Sequence, residues 1–176
     1  GMAAIAQHEA ELTAYALRRM AQVPGLRLYG DAQPQRAAQR LGVIPFNLLT
    51  RSHFLVAAVL SAEHGIAVRN GCFCAHPYLM HLLGLTASAV EAIRNQMAQG
   101  DRRSMPGMVR VSFGLYNTER DVDRLVDALQ QIARGEIRGR YVQDRASGEC
   151  RLDSQQTRAK PRPVHTPTEP APQELP

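Results

Sequence analysis

The sequence predicts an α/β fold, a two-layer sandwich in which a small mixed or antiparallel sheet is covered by helices. Three observations predict it. Amphipathic segments with helical spacing alternate with short apolar segments of strand length. Glycine, proline and capping residues punctuate the boundaries between them. Hydrophobic residues make up 44% of the chain, enough for a real core, and the lack of tryptophan makes that core aliphatic. At 176 residues the chain fits one domain. Residues 3–135 carry the patterned part, 136–153 read as a peripheral extension, and the proline-rich 154–176 is expected to be a disordered tail.

Along the chain, residues 5–22 form the first predicted helix. Ile5, Leu12, Tyr15, Ala16 and Met20 recur near helical spacing, and Pro24-Gly25 stops it. Leu26-Arg27-Leu28-Tyr29 alternates as a short strand, and residues 31–40 read as a polar loop. Gly42–Leu48 is a second strand, placed at an edge or on a bulge because Pro45 cannot donate to a ladder. Ser52 caps a helix over 53–63, and Gly65 ends it. Ile66–Val68 is then expected as the strand that feeds a loop beginning at Arg69. Two short helices follow, Tyr78 to Leu83 and Ala87 to Met97, the second capped by Thr86. Val109 to Phe113 is the last clear strand. Thr118 with Asp121 three residues later gives a capping box for a helix burying Val122, Leu125, Val126, Leu129 and Ile132.

The composition also limits function. The net charge of +5 comes almost wholly from arginine. These arginines are spread over helical faces and the tail, without a basic stripe interleaved with aromatics, so nucleic acid is not expected as a partner. No apolar run approaches a membrane span, and the N-terminus has no signal-peptide layout. Gly1-Met2 reads as a remnant of tag removal ahead of a start methionine. Three cysteines, an odd number, argue against a disulfide framework and for a reducing, cytoplasmic setting. The only lysine is Lys160, in the tail, so the patterned part offers no side-chain amine to an aldehyde cofactor.

Two blocks carry the chemistry. Gly65-Ile66-Ala67-Val68-Arg69-Asn70-Gly71-Cys72-Phe73-Cys74-Ala75-His76-Pro77 delivers an arginine and a thiol. Gly107-Met108-Val109-Arg110-Val111-Ser112 delivers a second arginine. A guanidinium fork grips carboxylates bidentately, and a thiolate is the strongest nucleophile a side chain offers near neutral pH. Arg69 and Arg110 could hold a carboxylate near Cys74, whose thiolate a nearby cation favours. Cys72, Cys74 and His76 alternate and could meet a metal, but the spacing is wrong for structural zinc and a fourth ligand is missing, so no metal is expected. Cys72 can also be a packed, inert thiol. His8, His53, His64 and His81 are read as surface or core histidines rather than bases.

These blocks resemble the C-terminal small domain of class V (NifS-like) pyridoxal-phosphate enzymes, notably the cysteine desulfurase and selenocysteine lyase branch. The likeness runs from His8–Leu12 through Pro24–Gly30, Gly42–Asn47, Gly65–Pro77 and Arg110–Leu129, in the family's order. The resemblance implies the C-terminal domain of the pyridoxal-phosphate-dependent transferase fold. It gives Cys74 the place of the cysteine that attacks the substrate sulfur and becomes a persulfide. Arg110 takes the place of the arginine that binds the substrate α-carboxylate, and Arg69 that of the other active-site arginine. Asn70 stands at a substrate-side position where desulfurases often carry threonine. Cys72-Phe73 stands where they often carry two histidines. That run, and the longer insertion before Gly107, also look like the aminotransferase-like part of molybdenum cofactor sulfurases.

In this family the large domain carries the Schiff-base lysine and most cofactor contacts. The resemblance therefore implies pyridoxal phosphate for the whole enzyme but none bound by this chain alone. It also implies a partner: the large cofactor-binding domain or another subunit, with a sulfur-acceptor protein and self-association as further candidates. The alternatives are a non-enzymatic sulfur-carrier or protein-binding module, or an aminotransferase in which Cys74 is only structural.

Overall fold

A computed structural model of the chain describes residues 1–153; the predicted tail lies outside them. Four strands form one antiparallel sheet: β1 (Leu26–Leu28), β2 (Val43–Leu48), β3 (Arg69–Gly71) and β4 (Met108–Ser112), in the order β1-β2-β4-β3. Side chains alternate along each strand, so the sheet has two unlike faces. On one face Ile44, Phe46, Leu48, Val109 and Val111 are buried. Helices α1 (Met2–Met20), α2 (His53–His64) and α5 (Glu119–Arg134) pack against that face with Leu17, Met20, Val59, Leu60, Leu129 and Ile132.

The cross-strand pairs Arg27 with Asn47, Pro45 with Arg110, Val43 with Ser112 and Arg69 with Arg110 put all these residues on the opposite face. Among the described residues no long helix covers it. Only α3 (His76–Leu82) and the loop before it fold over one end, where Tyr29, Cys72, Leu79 and Met108 form a small second cluster. Helix α4 (Ala87–Ala98) buries no residue fully.

The capping residues read from sequence close the helices as expected. Leu55 N donates to Ser52 Oγ at 3.2 Å and Ala89 N to Thr86 Oγ1 at 3.3 Å. Thr118 N donates to Asp121 Oδ2 at 2.9 Å. Gly65 ends α2 with φ +64° and Gly135 ends α5 with φ +80°, the left-handed conformation that glycine adopts without steric cost.

Two strand expectations need correction. Strand β2 is not at an edge but between β1 and β4. A strand residue points its N–H and C=O at the same neighbour. Tyr29 N donates to Pro45 O at 3.0 Å, so the missing N–H of Pro45 faces the point where β1 has already ended. The ladder to β4 loses nothing. Ile66–Val68 joins no ladder, and the paired strand begins at Arg69 itself. Arg69 is therefore held by the sheet rather than by a loop. Residues 34–39 of the expected polar loop form a short 3-10 helix.

Beyond α5 the chain adds a hairpin of β5 (Tyr141–Gln143) and β6 (Cys150–Leu152). Its anchor is Glu63 on α2. That carboxylate accepts Arg138 N at 3.0 Å, Gly139 N at 2.9 Å and the Tyr141 hydroxyl at 3.1 Å. Burial pushes the Glu63 carboxyl up, but these hydrogen bonds outweigh it and hold it below the usual carboxylate range.

Candidate active site

Arg69 and Arg110 lie directly opposite each other across the β3–β4 ladder. Like charges at such a position repel, and among the described residues neither has an ion-pair partner. Arg110 Nε is buried and lacks a hydrogen-bond partner among those residues. Ala67, Val68 and Ser112 complete a shallow hollow of about 220 Å³ around the pair. Two unpaired guanidinium groups in one hollow, one with an orphaned donor, suit an anion with two oxygens.

The thiol loop sits beside this pair. The Arg110 guanidinium lies over the Phe73 ring, 5.0 Å from its centroid. Cys72 to Ala75 form a β-turn closed by Ala75 N donating to Cys72 O at 2.9 Å. Its two central residues, Phe73 and Cys74, have φ of +52° and +60°. Positive φ at both centres marks a type I′ turn, which normally takes Asn and Gly. Side chains with a Cβ pay steric energy there, and such residues persist only where the surroundings hold them. Phe73 is held by the Arg110 contact. Cys74, the apex partner, is exposed.

The two thiols of the loop have different surroundings. Cys72 is buried and donates to Pro106 O at 3.0 Å, and burial pushes its pKa up. It is a packed thiol with a partner, while Cys74 faces solvent. Cys150 lies in β6, part of the hairpin. Among the described residues no group of three or more His, Cys, Asp or Glu side chains is arranged to hold a metal.

Asn70 is not brought to the arginine pair. One residue along β3 from Arg69, it projects from the other face of the sheet, and its Nδ2 lies 3.4 Å from His53 Nδ1. The second ring nitrogen of His53, Nε2, lies 3.0 Å from Met105 O. That carbonyl can only accept, so Nε2 carries the proton and Nδ1 is left to accept from Asn70. Burial pushes the pKa of His53 down, partly countered by the bond to Met105. Gly107 presses against this ring: a Cβ there would come 2.5 Å from His53 Nε2 and 2.9 Å from Gly71 Cα. His53 therefore ties α2, β3 and the loop before β4 together behind the site. Sequence reasoning placed it among generic histidines, named Phe73 only as a departure from the family's loop, and did not single out Met105 or Pro106. The position of His53 just after the Ser52 cap was the available cue, because a helix start aims its side chain at the adjoining loop.

The family model for class V aminotransferases matches residues 1–125. A probable cysteine desulfurase of Staphylococcus epidermidis is 41% identical over 131 residues, covering 74% of this chain and 25% of that protein. A cysteine desulfurase of Escherichia coli is 38% identical over 134 residues, covering 76% and 26% respectively. Among solved structures, the cysteine desulfurase of Thermococcus onnurineus aligns with a TM-score of 0.55 at 25% identity over 73% of this chain. An Escherichia coli cysteine desulfurase aligns with a TM-score of 0.50 at 28% identity. The chain spans about a quarter of the length of these relatives. Among the described residues no helix is long and apolar enough to cross a membrane. With the match over most of its patterned length and the shared fold, the chain belongs to the class V aminotransferase family.

Proposed function

We propose that this chain supplies the carboxylate-binding arginines and the sulfur-accepting thiol of a cysteine desulfurase-type site. The observation that carries this reading is the cross-strand Arg69–Arg110 pair, with Arg110 stacked on Phe73, the residue next to Cys74 in its turn. The family uses pyridoxal phosphate, which supplies an electron sink to the substrate. The described residues do not fit that group: they contain no lysine, since Lys160 lies beyond them. They fit a carboxylate instead. The uncovered arginine face is where a cofactor-bearing domain or subunit would sit. By itself the chain does not turn over cysteine.

Arg110 and Arg69 would orient the donor through its carboxylate. Cys74 would take the sulfur as a thiolate attacking the outer sulfur of a persulfide donor. A new S–S bond forms to Cys74, the donor's own S–S bond breaks, and the electron pair leaves with the donor thiolate. No external oxidant or reductant is needed. The exposure of Cys74 also favours a second role as a carrier that hands this sulfur to an acceptor protein.

The test is incubation with a small persulfide donor followed by peptide mass mapping. A single added sulfur on Cys74, lost in Cys74→Ser, is expected. Pyridoxal phosphate with borohydride should leave no specific adduct, and cysteine should yield no sulfide. An unmodified Cys74, or cysteine turnover by the isolated chain, would overturn the proposal.

A further inference from the structure

We propose that the C-terminal hairpin is a clasp that positions the thiol loop, and that Gln143 is the residue through which it acts. The inference rests on the reading that Cys74 is the reactive thiol. The hairpin lies beyond residue 125, where the family match ends.

The chain of contacts is continuous. Glu63 fixes the start of the hairpin to α2. At its far side the hairpin reaches the segment 101–106 that leads into β4. Gln143 Nε2 donates to Arg103 O at 3.0 Å and to Gly148 O at 2.8 Å, so one amide joins β5 and the hairpin's connecting turn to that segment. Arg102 N donates to Arg145 O at 2.9 Å. Gly148 is packed so closely that a Cβ would come 2.6 Å from Arg102 O. Two carbonyls of the clasped segment then hold the site from behind. Met105 O receives His53, whose other nitrogen meets Asn70 on β3. Pro106 O receives the Cys72 thiol, the first residue of the turn that presents Cys74.

A loop with few apolar contacts opens easily unless hydrogen bonds restrain it. In segment 101–106 Arg102, Arg103 and Ser104 are exposed and no residue is fully buried, so hydrogen bonds, those from the hairpin among them, supply much of its restraint. Releasing Gln143 therefore frees Pro106 O, and with it Cys72. Gln143 touches neither donor nor thiol and is a positioning residue.

The experiment is timed native alkylation with iodoacetamide, mapped by mass spectrometry at Cys72 and Cys74. In the unaltered chain Cys74 should react and Cys72 should be protected. In Gln143→Ala, Cys72 should label about tenfold faster, the factor expected when a local opening loses its hydrogen bonds. Gln143→Glu supplies the readout a loss of packing would not move. Its carboxylate cannot donate to Arg103 O or Gly148 O, so Cys72 should be unprotected at neutral pH. Protonation of the new carboxyl restores a donor, so protection relative to Gln143→Ala should return on acidification. A third variant, Tyr141→Phe, removes a Glu63 contact and should loosen Cys72 by a smaller factor. Unchanged Cys72 protection in all three variants overturns the clasp. That result is independent of whether Cys74 accepts sulfur, because Cys72 protection is read without any sulfur donor.

Discussion

Replacing Arg110 by glutamine should strongly weaken carboxylate binding while leaving the stability of the ligand-free fold nearly unchanged. Arg110 faces Arg69 across the ladder, and directly opposed residues have Cβ atoms ~5 Å apart. For guanidinium charges about 7 Å apart the repulsion is about 0.6 kcal/mol in bulk water and about 1.2 kcal/mol at half that dielectric. The substitution relieves this. It also removes the stacking of Arg110 on Phe73 at 5.0 Å, a contact of this kind contributing about 0.5–1 kcal/mol. The two terms oppose each other and are similar in size. Carboxylate binding has no such offset: a hydrogen bond to a charged group contributes about 1.5–3 kcal/mol, so affinity should fall roughly ten- to hundredfold. The assay is thermal unfolding in acetate against chloride at matched ionic strength. With acetate at about ten times its Kd, linkage adds roughly 1.4 kcal/mol, which raises Tm by about 3–6 °C for a domain of this size. The variant should lose most of that increment. An equal acetate-dependent rise in Arg110→Gln would refute the placement of the carboxylate, and a large loss of ligand-free stability would refute the cancellation.

Cys74→Gly should raise stability by about 1 kcal/mol in urea unfolding, because glycine removes the cost of φ +60°, while thiol reactivity at that site disappears. Burial holds His53 neutral by lowering its folded pKa below the ordinary 6.5. The unfolded chain therefore binds more protons at mildly acidic pH, and stability should fall as pH drops below about 6.5; a pH series of unfolding curves in which His53→Asn flattens that slope checks the assignment. Glu63→Ala should cost about 1–3 kcal/mol and expose the amides of Arg138 and Gly139 to hydrogen exchange, since it leaves three donors unpaired. Leu129→Ala, at a fully buried position beneath the sheet, should cost about 2–5 kcal/mol in the same assay.

The sequence was most legible where structure is local. Helix caps at Ser52, Thr86 and Thr118 depend on residues three positions away, and the stop at Gly65 depends on one φ angle. Strands were harder to read because pairing is decided by a neighbour the sequence does not name. Pro45 reads as an edge residue until the position of Tyr29 reveals which side its missing donor faces. Ile66–Val68 has the composition of a strand but finds no ladder, and Arg69–Gly71, with less β-propensity, does. The candidate site was readable in its arginines and exposed thiol. Asn70 was grouped with them by adjacency, yet period-two alternation sends it to the other side of the sheet. The hairpin left little apolar pattern to find, because a carboxylate and backbone carbonyls anchor it while Ile137 and Tyr141 are only half-buried against the core.

The register of β3 against β4 has one more consequence. Gly71 pairs with Met108, so everything from residue 72 to 107 leaves the sheet and returns to it at adjacent points. Beyond the Phe73 contact, that excursion can lengthen, shorten or be exchanged while the backbone positions of Arg69 and Arg110 stay fixed by the ladder that flanks it. Reach of the nucleophile and grip on the donor are thus separately adjustable in this architecture. Relatives with excursions of different lengths should differ in which acceptors they can serve while keeping the same arginine geometry.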